Sequence, residues 1–289
     1  METTLKYGHF LTIHGTSQTQ NQPLTGNLSA VGFTDNNIYI RAMKNPLDEG
    51  DKINNVKDYN NIIFQIWPKL NCEANKEFSK LKKNHNYLKK IGFESEPNPT
   101  DREFMETLFQ RIQKMEKRSK DEHDSNLQLL NSVLGQEVTY GSEVQFLHVD
   151  SKLFLNGKIL CSETDTSAYK FELTDSFNTG MLFKIVPRFK LREEGEVVQY
   201  KDHILFFNVK LNCFANFSDD MPIEIDRPIQ ISDKKPIYNP FMIKNTHGST
   251  LRYEAYLSNS QDCYWQLFFH SDMENENKIK GCDLIRYSY

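Results

Sequence analysis

Four basic residues near the end of a predicted β-strand come closest to forming a binding site in this sequence. They are Lys184, Arg188, Lys190 and Arg192. Because their spacing is even, the alternation of a strand would point them the same way and make them one basic patch. Converging Lys and Arg side chains are what a phosphate or carboxylate group requires. A solvated strand edge is the alternative to an anion site, and charge runs usually favour it.

No pattern of nucleophiles, acids or metal ligands indicates catalysis. His14, His148 and His203 fall in or beside predicted strands, and the sequence has no H-x-x-x-H or H-E-x-x-H pair. Phosphate-binding glycine loops and nucleophile elbows are also absent from the sequence. The five cysteines include no C-x-x-C pair, which favours free thiols in a reducing compartment. We therefore expect no enzyme, no metal and no cofactor.

Composition places the chain among soluble globular proteins. It has 289 residues, a formal net charge of −4 and a pI near 6.1. The lack of a basic excess argues against nucleic acid as a partner. No apolar run approaches the roughly 20 residues that span a bilayer, so we expect a cytoplasmic protein without direct membrane contact.

The chain repeats one strand pattern four times. Each copy, which we call a head strand, opens with Tyr or Gly, waits three residues and then places two apolar side chains two apart. The copies open at Tyr7, Tyr140, Tyr200 and Gly281. In the first three, the apolar pairs are Leu11 and Ile13, Val144 and Phe146, and Ile204 and Phe206. This spacing points both side chains to one face of a strand, so the pairs are predicted to lie in the core.

A second pattern, the tail strand, follows three of the four head strands. Its apolar pairs are Phe64 and Ile66, Phe183 and Ile185, and Trp265 and Leu267. A slip of one residue would turn each pair to solvent, so the pattern specifies the register. Three head-to-tail units with two weaker strands inside each predict a β-trefoil of twelve strands. Phe64, Phe183 and Trp265 are then near equivalents around a three-fold axis.

A long segment between the first two units has helical periodicity instead. Its apolar stripes are Phe78, Leu81, His85 and Leu88, and then Phe104, Leu108, Ile112 and Met115. The charged stretch 114–124 is expected to stand in solvent. We predict a helical hairpin over residues 72–133, either a decoration or an arm that docks on a partner. Because the ends of the hairpin close locally, we expect the β domain to fold without it.

The predicted organisation has four parts. Residues 1–71 form the first trefoil unit, 72–133 the helical arm, and 134–270 the second and third units. Residues 271–289 are predicted to be a connector and the first strand of a following module, because a trefoil needs only three head strands.

Several segments, taken in order, resemble one protein family. They are Leu5–His14, Phe64–Pro68, the helical insert, Tyr140–Val149, Phe183–Leu191 and Lys280–Arg286. The set resembles the amino-terminal domain of inositol 1,4,5-trisphosphate receptors, which ryanodine receptors share. The resemblance implies a β-trefoil with a helical arm, called the suppressor domain, followed by a second trefoil. The insert is longer and more charged than that of the family, and the stretch 219–240 has no counterpart.

The resemblance implies a non-catalytic regulatory domain on the cytosolic face of a calcium-store membrane. In that family the inositol phosphate is held by the second trefoil and the helical domain after it, so this chain alone is not expected to bind it. The implied partners are neighbouring domains or subunits of a channel. An alternative is a docking subunit of a large cytoskeletal or ciliary assembly. An open reading frame that continues into a second trefoil and membrane spans would decide for the channel.

A third alternative is a trefoil that binds a sugar or an inositol phosphate by itself. Gln65 and Trp67 match the Q-x-W of sugar-binding trefoils. Only the first unit has this pair, and Gln65 takes the position of Lys184 and Gln266 in the other units. An ordinary tail strand therefore explains it.

Overall fold

The computed structural model describes residues 3–18, 23–30, 36–42, 60–90, 99–217 and 252–269. Within these ranges the protein is mainly β, with twelve strands and two α-helices. This confirms the mainly β class predicted from the strand repeats. The fourth head strand, the connector before it and the stretch 219–240 lie outside the described residues.

The strands and helices are numbered here in chain order. The strands are β1 (Phe10–Ser17), β2 (Thr25–Ala30), β3 (Ile38–Ala42), β4 (Ile63–Pro68), β5 (Glu143–His148), β6 (Phe154–Cys161), β7 (Tyr169–Thr174), β8 (Phe183–Pro187), β9 (Ile204–Asn208), β10 (Cys213–Phe217), β11 (Arg252–Ser258) and β12 (Cys263–Phe269). The helices are α1 (Glu73–Lys90) and α2 (Pro99–Val133).

The six head and tail strands pair into a closed ring. β1 pairs with β4, β4 with β5, β5 with β8, β8 with β9, β9 with β12, and β12 with β1. The twelve head and tail residues named above are each at most 3% exposed. Alternation along the strands turns these side chains into the ring, and the residues between them point outward.

Each tail strand meets the next head strand in the same register. Gln65 is opposite Leu147, Lys184 is opposite Phe207, and Gln266 is opposite His14. The turn that opens each head strand is also bonded in the same way. The N–H groups of Gly8, Gly141 and Lys201 donate to the carbonyls of Ile66, Ile185 and Leu267 at 2.8, 2.9 and 3.1 Å. The repeats in the sequence are therefore repeats of backbone geometry as well.

Three backbone hydrogen bonds form a small ring of their own. The N–H of Leu5 donates to Val198 O at 2.9 Å, that of Val198 to Val138 O at 2.9 Å, and that of Val138 to Leu5 O at 2.8 Å. All three side chains are fully buried. The repeat pattern opens at the tyrosines two positions later and does not include these three residues, because a single apolar residue has no period.

Three further antiparallel strand pairs, which we call hairpins, make up the rest of the described β structure. They are β2–β3, β6–β7 and β10–β11. β11 pairs with both β3 and β7, and a bridge between Asn37 and Glu172 joins the remaining two. The hairpins therefore contact one another pairwise, one from each unit.

Lys201 occupies a backbone conformation that the other two units give to glycine. Its φ is +67°, and its equivalents Gly8 and Gly141 have φ of +90° and +84°. A non-glycine residue in this region costs about 1–2 kcal/mol of backbone strain in the folded state. Glycine removes that strain, but its higher entropy in the unfolded state cancels part of the gain in stability. We expect Lys201→Gly to raise the free energy of unfolding by about 0.5 kcal/mol, measured by urea denaturation. The control is Lys210→Gly, because Lys210 is exposed and lies outside the positive-φ region, and this change should lower the free energy of unfolding. Equal effects of the two changes would contradict the equivalence of Lys201 with Gly8 and Gly141.

The two helices pack against each other, and Met115 is buried between them, whereas Phe104 of the predicted apolar stripe is 52% exposed. Beyond Met115 the seam is polar. Ser119 and Asn126 are buried, and the Glu122 carboxylate accepts the N–H groups of Ala74 and Asn75 at 2.9 and 3.1 Å. Asn126 exchanges hydrogen bonds of 2.9 and 2.7 Å with the backbone of Asn71. A carboxylate at a helix amino terminus satisfies N–H groups that lack partners within the helix. The expectation that 114–124 stands in solvent is therefore wrong on one face of α2.

The carboxyl-terminal part of α2 packs on the outside of the ring. Leu130 is 1% exposed and lies in one apolar cluster with Trp67 and Leu147, both 2% exposed. Leu127 packs against the same cluster. The predicted boundary at residue 133 thus cuts through side-chain packing, and removal of 72–133 would uncover Trp67 and Leu147.

Candidate protein-interaction surface

The predicted basic patch is divided between a strand and a turn. β8 ends at Pro187, so only Lys184 lies on the strand. The other three basic residues follow in bends and turns over residues 188–192, which we call the basic turn. The strand alternation that would have aligned all four does not extend past Pro187. The structure therefore does not arrange the four cations on one strand face.

Arg188 fixes the start of the basic turn against the ring. Its backbone N–H donates to His203 O at 3.0 Å, and its guanidinium donates to Gln18 Oε1 at 2.7 Å. The guanidinium also lies 4.6 Å from the ring centre of Tyr264, a cation–π contact. Arg188 is thus largely committed to contacts within the protein.

Arg192 fixes the end of the basic turn through acidic partners. Its guanidinium lies 3.6 Å from Asp202 and 3.5 Å from Glu196, and it donates to Gln199 Oε1 at 3.2 Å. Its charge is therefore balanced locally. Lys190, between the two arginines, is exposed.

Tyr140 and Asp202 hold the base of the turn from the next layer inward. The Tyr140 hydroxyl donates to Asp202 Oδ2 at 2.7 Å, and the N–H of Gln199 donates to the same oxygen at 3.3 Å. Burial, together with the hydrogen bond to Asp202, raises the pKa of Tyr140 well above its ordinary value. The phenol therefore stays protonated and keeps donating at any physiological pH.

The basic turn presents two apolar side chains to solvent. Phe189 is 51% exposed and Leu191 is 86% exposed. The Phe189 ring contacts His203 edge to face at 5.8 Å, and the Arg188 guanidinium lies 5.7 Å from its centre. Apolar side chains on a rigid base, beside cations, have the composition of a protein-binding surface. The cations of this turn were predicted from the sequence and the apolar pair was not. The available signal was Phe and Leu alternating with Arg and Lys after a proline that ends a strand.

The other candidate residues are occupied within the fold. Gln65 donates to Gly8 O at 2.9 Å and accepts from Trp67 Nε1 at 2.9 Å, and both side chains are buried. His148 is fully buried with Nδ1 2.8 Å from Ser151 Oγ, and His14 is 3.3 Å from Asn27 Oδ1. The Q-x-W pair therefore offers no polar surface to a sugar.

One buried carboxylate serves a turn. Glu254 is 5% exposed and accepts from Ser162 Oγ, the N–H of Glu163, and the N–H and hydroxyl of Thr164, at 2.7 to 2.9 Å. A carboxylate with this many donors is a structural anchor for the β6–β7 loop. Among the described residues, no group of three or more His, Cys, Asp and Glu side chains could hold a metal ion. No helix in the same part of the chain is long and apolar enough to cross a membrane.

Comparison with known proteins shows similarity to inositol 1,4,5-trisphosphate and ryanodine receptors. Residues 1–247 match the family model described as inositol 1,4,5-trisphosphate/ryanodine receptor. The inositol 1,4,5-trisphosphate receptor itr-1 of Caenorhabditis elegans is 25% identical over 195 residues, which is 67% of this chain and 6% of that receptor. The match thus spans a small fraction of the length of the relative.

Proposed function

This chain belongs to the inositol 1,4,5-trisphosphate/ryanodine receptor family, and we propose that it is a regulatory domain of a calcium-release channel that works by binding protein. It acts without catalysis, on the cytosolic face of a calcium-store membrane. Its partners are neighbouring domains or subunits, and its contacts with them bias gating. The exposed apolar pair on the fixed basic turn is the observation that carries this proposal.

The proposed fold is a β-trefoil with a helical arm. The closed ring of six strands, the common register of the three tail–head pairs and the three mutually paired hairpins support it. Residues 1–71 and 134–270 form the trefoil in this proposal, and 72–133 form the arm. Residues 271–289 are proposed to lead into the next module.

The basic turn is proposed to contact protein and not an inositol phosphate. A trisphosphate needs several converging cations. Arg192 is balanced by Asp202 and Glu196, and Arg188 is stacked on Tyr264. Within the basic turn this leaves Lys190, and one ammonium cannot offset three phosphates. Phe189 and Leu191 supply the apolar area that a protein interface buries.

The double variant Phe189→Ala, Leu191→Ala tests this proposal. We expect the affinity of the chain for the rest of its receptor to fall about tenfold or more, because two exposed apolar anchors are removed. The thermal melting temperature should stay unchanged, because both side chains are exposed. Fluorescence anisotropy of the labelled chain against the purified cytosolic remainder of the receptor measures the affinity.

A matched control uses another exposed apolar pair. Ile159 and Leu160 in β6 are 67% and 51% exposed, and Ile159→Ala, Leu160→Ala should leave the affinity unchanged. An equal loss in both double variants would mean a general effect of surface apolar area. If the Phe189→Ala, Leu191→Ala variant keeps its full affinity, the proposed contact is wrong.

A further inference from the structure

The common register of the strands defines equivalent outer walls on the ring. A wall consists of the outward side chains of one tail strand and the next head strand. The first wall is Gln65, Trp67, Gln145 and Leu147. The second wall is Lys184, Val186, Leu205 and Phe207. Phe154 lies opposite Leu147, and Phe214 lies opposite Phe207, so this neighbour is equivalent too.

The first wall is a helix-binding surface within the protein itself. Trp67, Leu147 and Phe154 are all buried, and Leu130 of α2 lies in the same cluster with Leu127 packed against it. Two leucines three residues apart on a helix face the same way. An amphipathic helix is thus the natural cover for a wall of this geometry.

The second wall has the same apolar positions, and they are less covered. Val186, Phe207 and Phe214 take the places of Trp67, Leu147 and Phe154, and each remains partly exposed. The rings of Phe207 and Phe214 are 5.2 Å apart, so they form one continuous apolar surface. This surface runs along β8 toward the basic turn.

Charge distinguishes the second wall from the first. Lys184 stands where the first wall has Gln65. Glu143, directly across the strand pair from Lys184, is bonded to Lys69 at 2.7 Å. A partly exposed ammonium beside an apolar strip favours a ligand that carries a carboxylate.

We infer that the second wall binds an acidic amphipathic helix of a partner protein, in the way that the first wall binds α2. The partner helix carries two apolar residues three apart for Val186 and Phe207, and an acidic residue for Lys184. This inference deepens the proposed function, and it rests on that function only in assuming that the domain works by binding protein. The second wall and the basic turn use different residues, so an experiment can disprove either one without the other.

The probe for this inference is a peptide copy of residues 119–134, stapled to hold its helix. This segment of α2 carries Asp121, Glu122 and Asp124 beside Leu127 and Leu130. We expect saturable binding to the intact chain by fluorescence anisotropy. Lys184→Glu should weaken it about tenfold or more, because a like charge replaces the attractive one. The peptide affinity of Lys184→Gln should lie between those of the unchanged chain and Lys184→Glu. Higher salt should weaken binding only when Lys184 is present.

The matched control is Gln266→Glu, which introduces the same charge at the equivalent position of the remaining wall. That wall has His14 where the second wall has Phe207, so its variant should leave peptide affinity unchanged. Absence of binding, or equal loss in both variants, would overturn the inference. Self-association of the chain that Lys184→Glu abolishes would also overturn it, because the occupant would then be a second copy. Failure of the basic-turn variant alone would leave this result standing.

Discussion

Replacement of Trp265 with alanine is expected to lower the free energy of unfolding by about 3–5 kcal/mol. The indole is fully buried, with ring centres of Phe206 and Phe217 each 5.8 Å away. Its Nε1–H donates to Ala215 O at 3.0 Å, so truncation also leaves a buried carbonyl without its donor. Gly15 makes room for the ring, because a Cβ there would lie 2.8 Å from it. The surrounding strands cannot move into the cavity without breaking hydrogen bonds of the closed six-stranded ring.

Urea denaturation followed by far-UV circular dichroism measures this loss, since the variant removes one of only two tryptophans and alters the fluorescence. Phe64→Ala and Phe183→Ala should lose similar amounts, because both side chains are equally buried at the equivalent positions. Leu191→Ala is the control and should change stability by less than about 0.5 kcal/mol. A loss below about 1 kcal/mol for two of the three core variants would contradict the three-fold equivalence.

The strand repeats were predictable because each combines a period of two with a fixed residue class. The pairs such as Phe183 and Ile185 are apolar at both positions, and any other register exposes them. The tyrosine that opens each of the first three head strands marked the turn that Gly8, Gly141 and Lys201 make at positive φ. Local chemistry and long-range packing agree at these positions, so a pattern in the sequence was enough.

The helical seam was only half predictable, because its residues change class along one face. Leu108, Ile112 and Met115 continue at the same spacing as Ser119, Glu122 and Asn126. The apolar periodicity of α2 ends where its side chains begin to form hydrogen bonds with the amino terminus of α1, as Glu122 does. Polar residues in a seam look like a solvated face until their partners are known. The partners, Asn71 and Asn75, lie far away in sequence.

The sequence predicted the charges of the basic turn, and the structure adds two exposed apolar side chains, Phe189 and Leu191. The contacts that commit Arg188 and Arg192 come from Gln18, Tyr264, Glu196 and Asp202, in different parts of the chain. No local pattern specifies such partners. The exposure of Leu191 follows from those contacts, because they fix both ends of the turn and leave its middle outside.

Two deletions in the arm are expected to differ sharply. Replacing 78–116 with a short Gly-Ser linker should leave a cooperatively folded protein that melts close to the intact chain. This deletion keeps the bonds of Glu122 to Ala74 and Asn75 and the packing of Leu130. Closing a local loop of a different length costs only about 0.6 kcal/mol per doubling.

Replacing 72–133 should lower the free energy of unfolding by at least about 2–5 kcal/mol, the loss typical of one buried leucine. It removes Leu130 and exposes Trp67 and Leu147, which are now 2% exposed. Differential scanning calorimetry on both variants measures the contrast. We therefore predict that the outer part of the arm is separable and that the β domain needs the base of the arm for its stability.

A pair of point variants isolates the residue responsible. Leu130→Ala should cost about 2–5 kcal/mol, since Leu130 is 1% exposed in the cluster on the first wall. Leu129→Ala, one position away and 37% exposed, should stay within about 0.5 kcal/mol of the unchanged chain. Equal, small effects from both would mean that the base of the arm is as dispensable as its outer part, and that the first wall is stable without a helix. That outcome would also remove the structural precedent for a helix on the second wall.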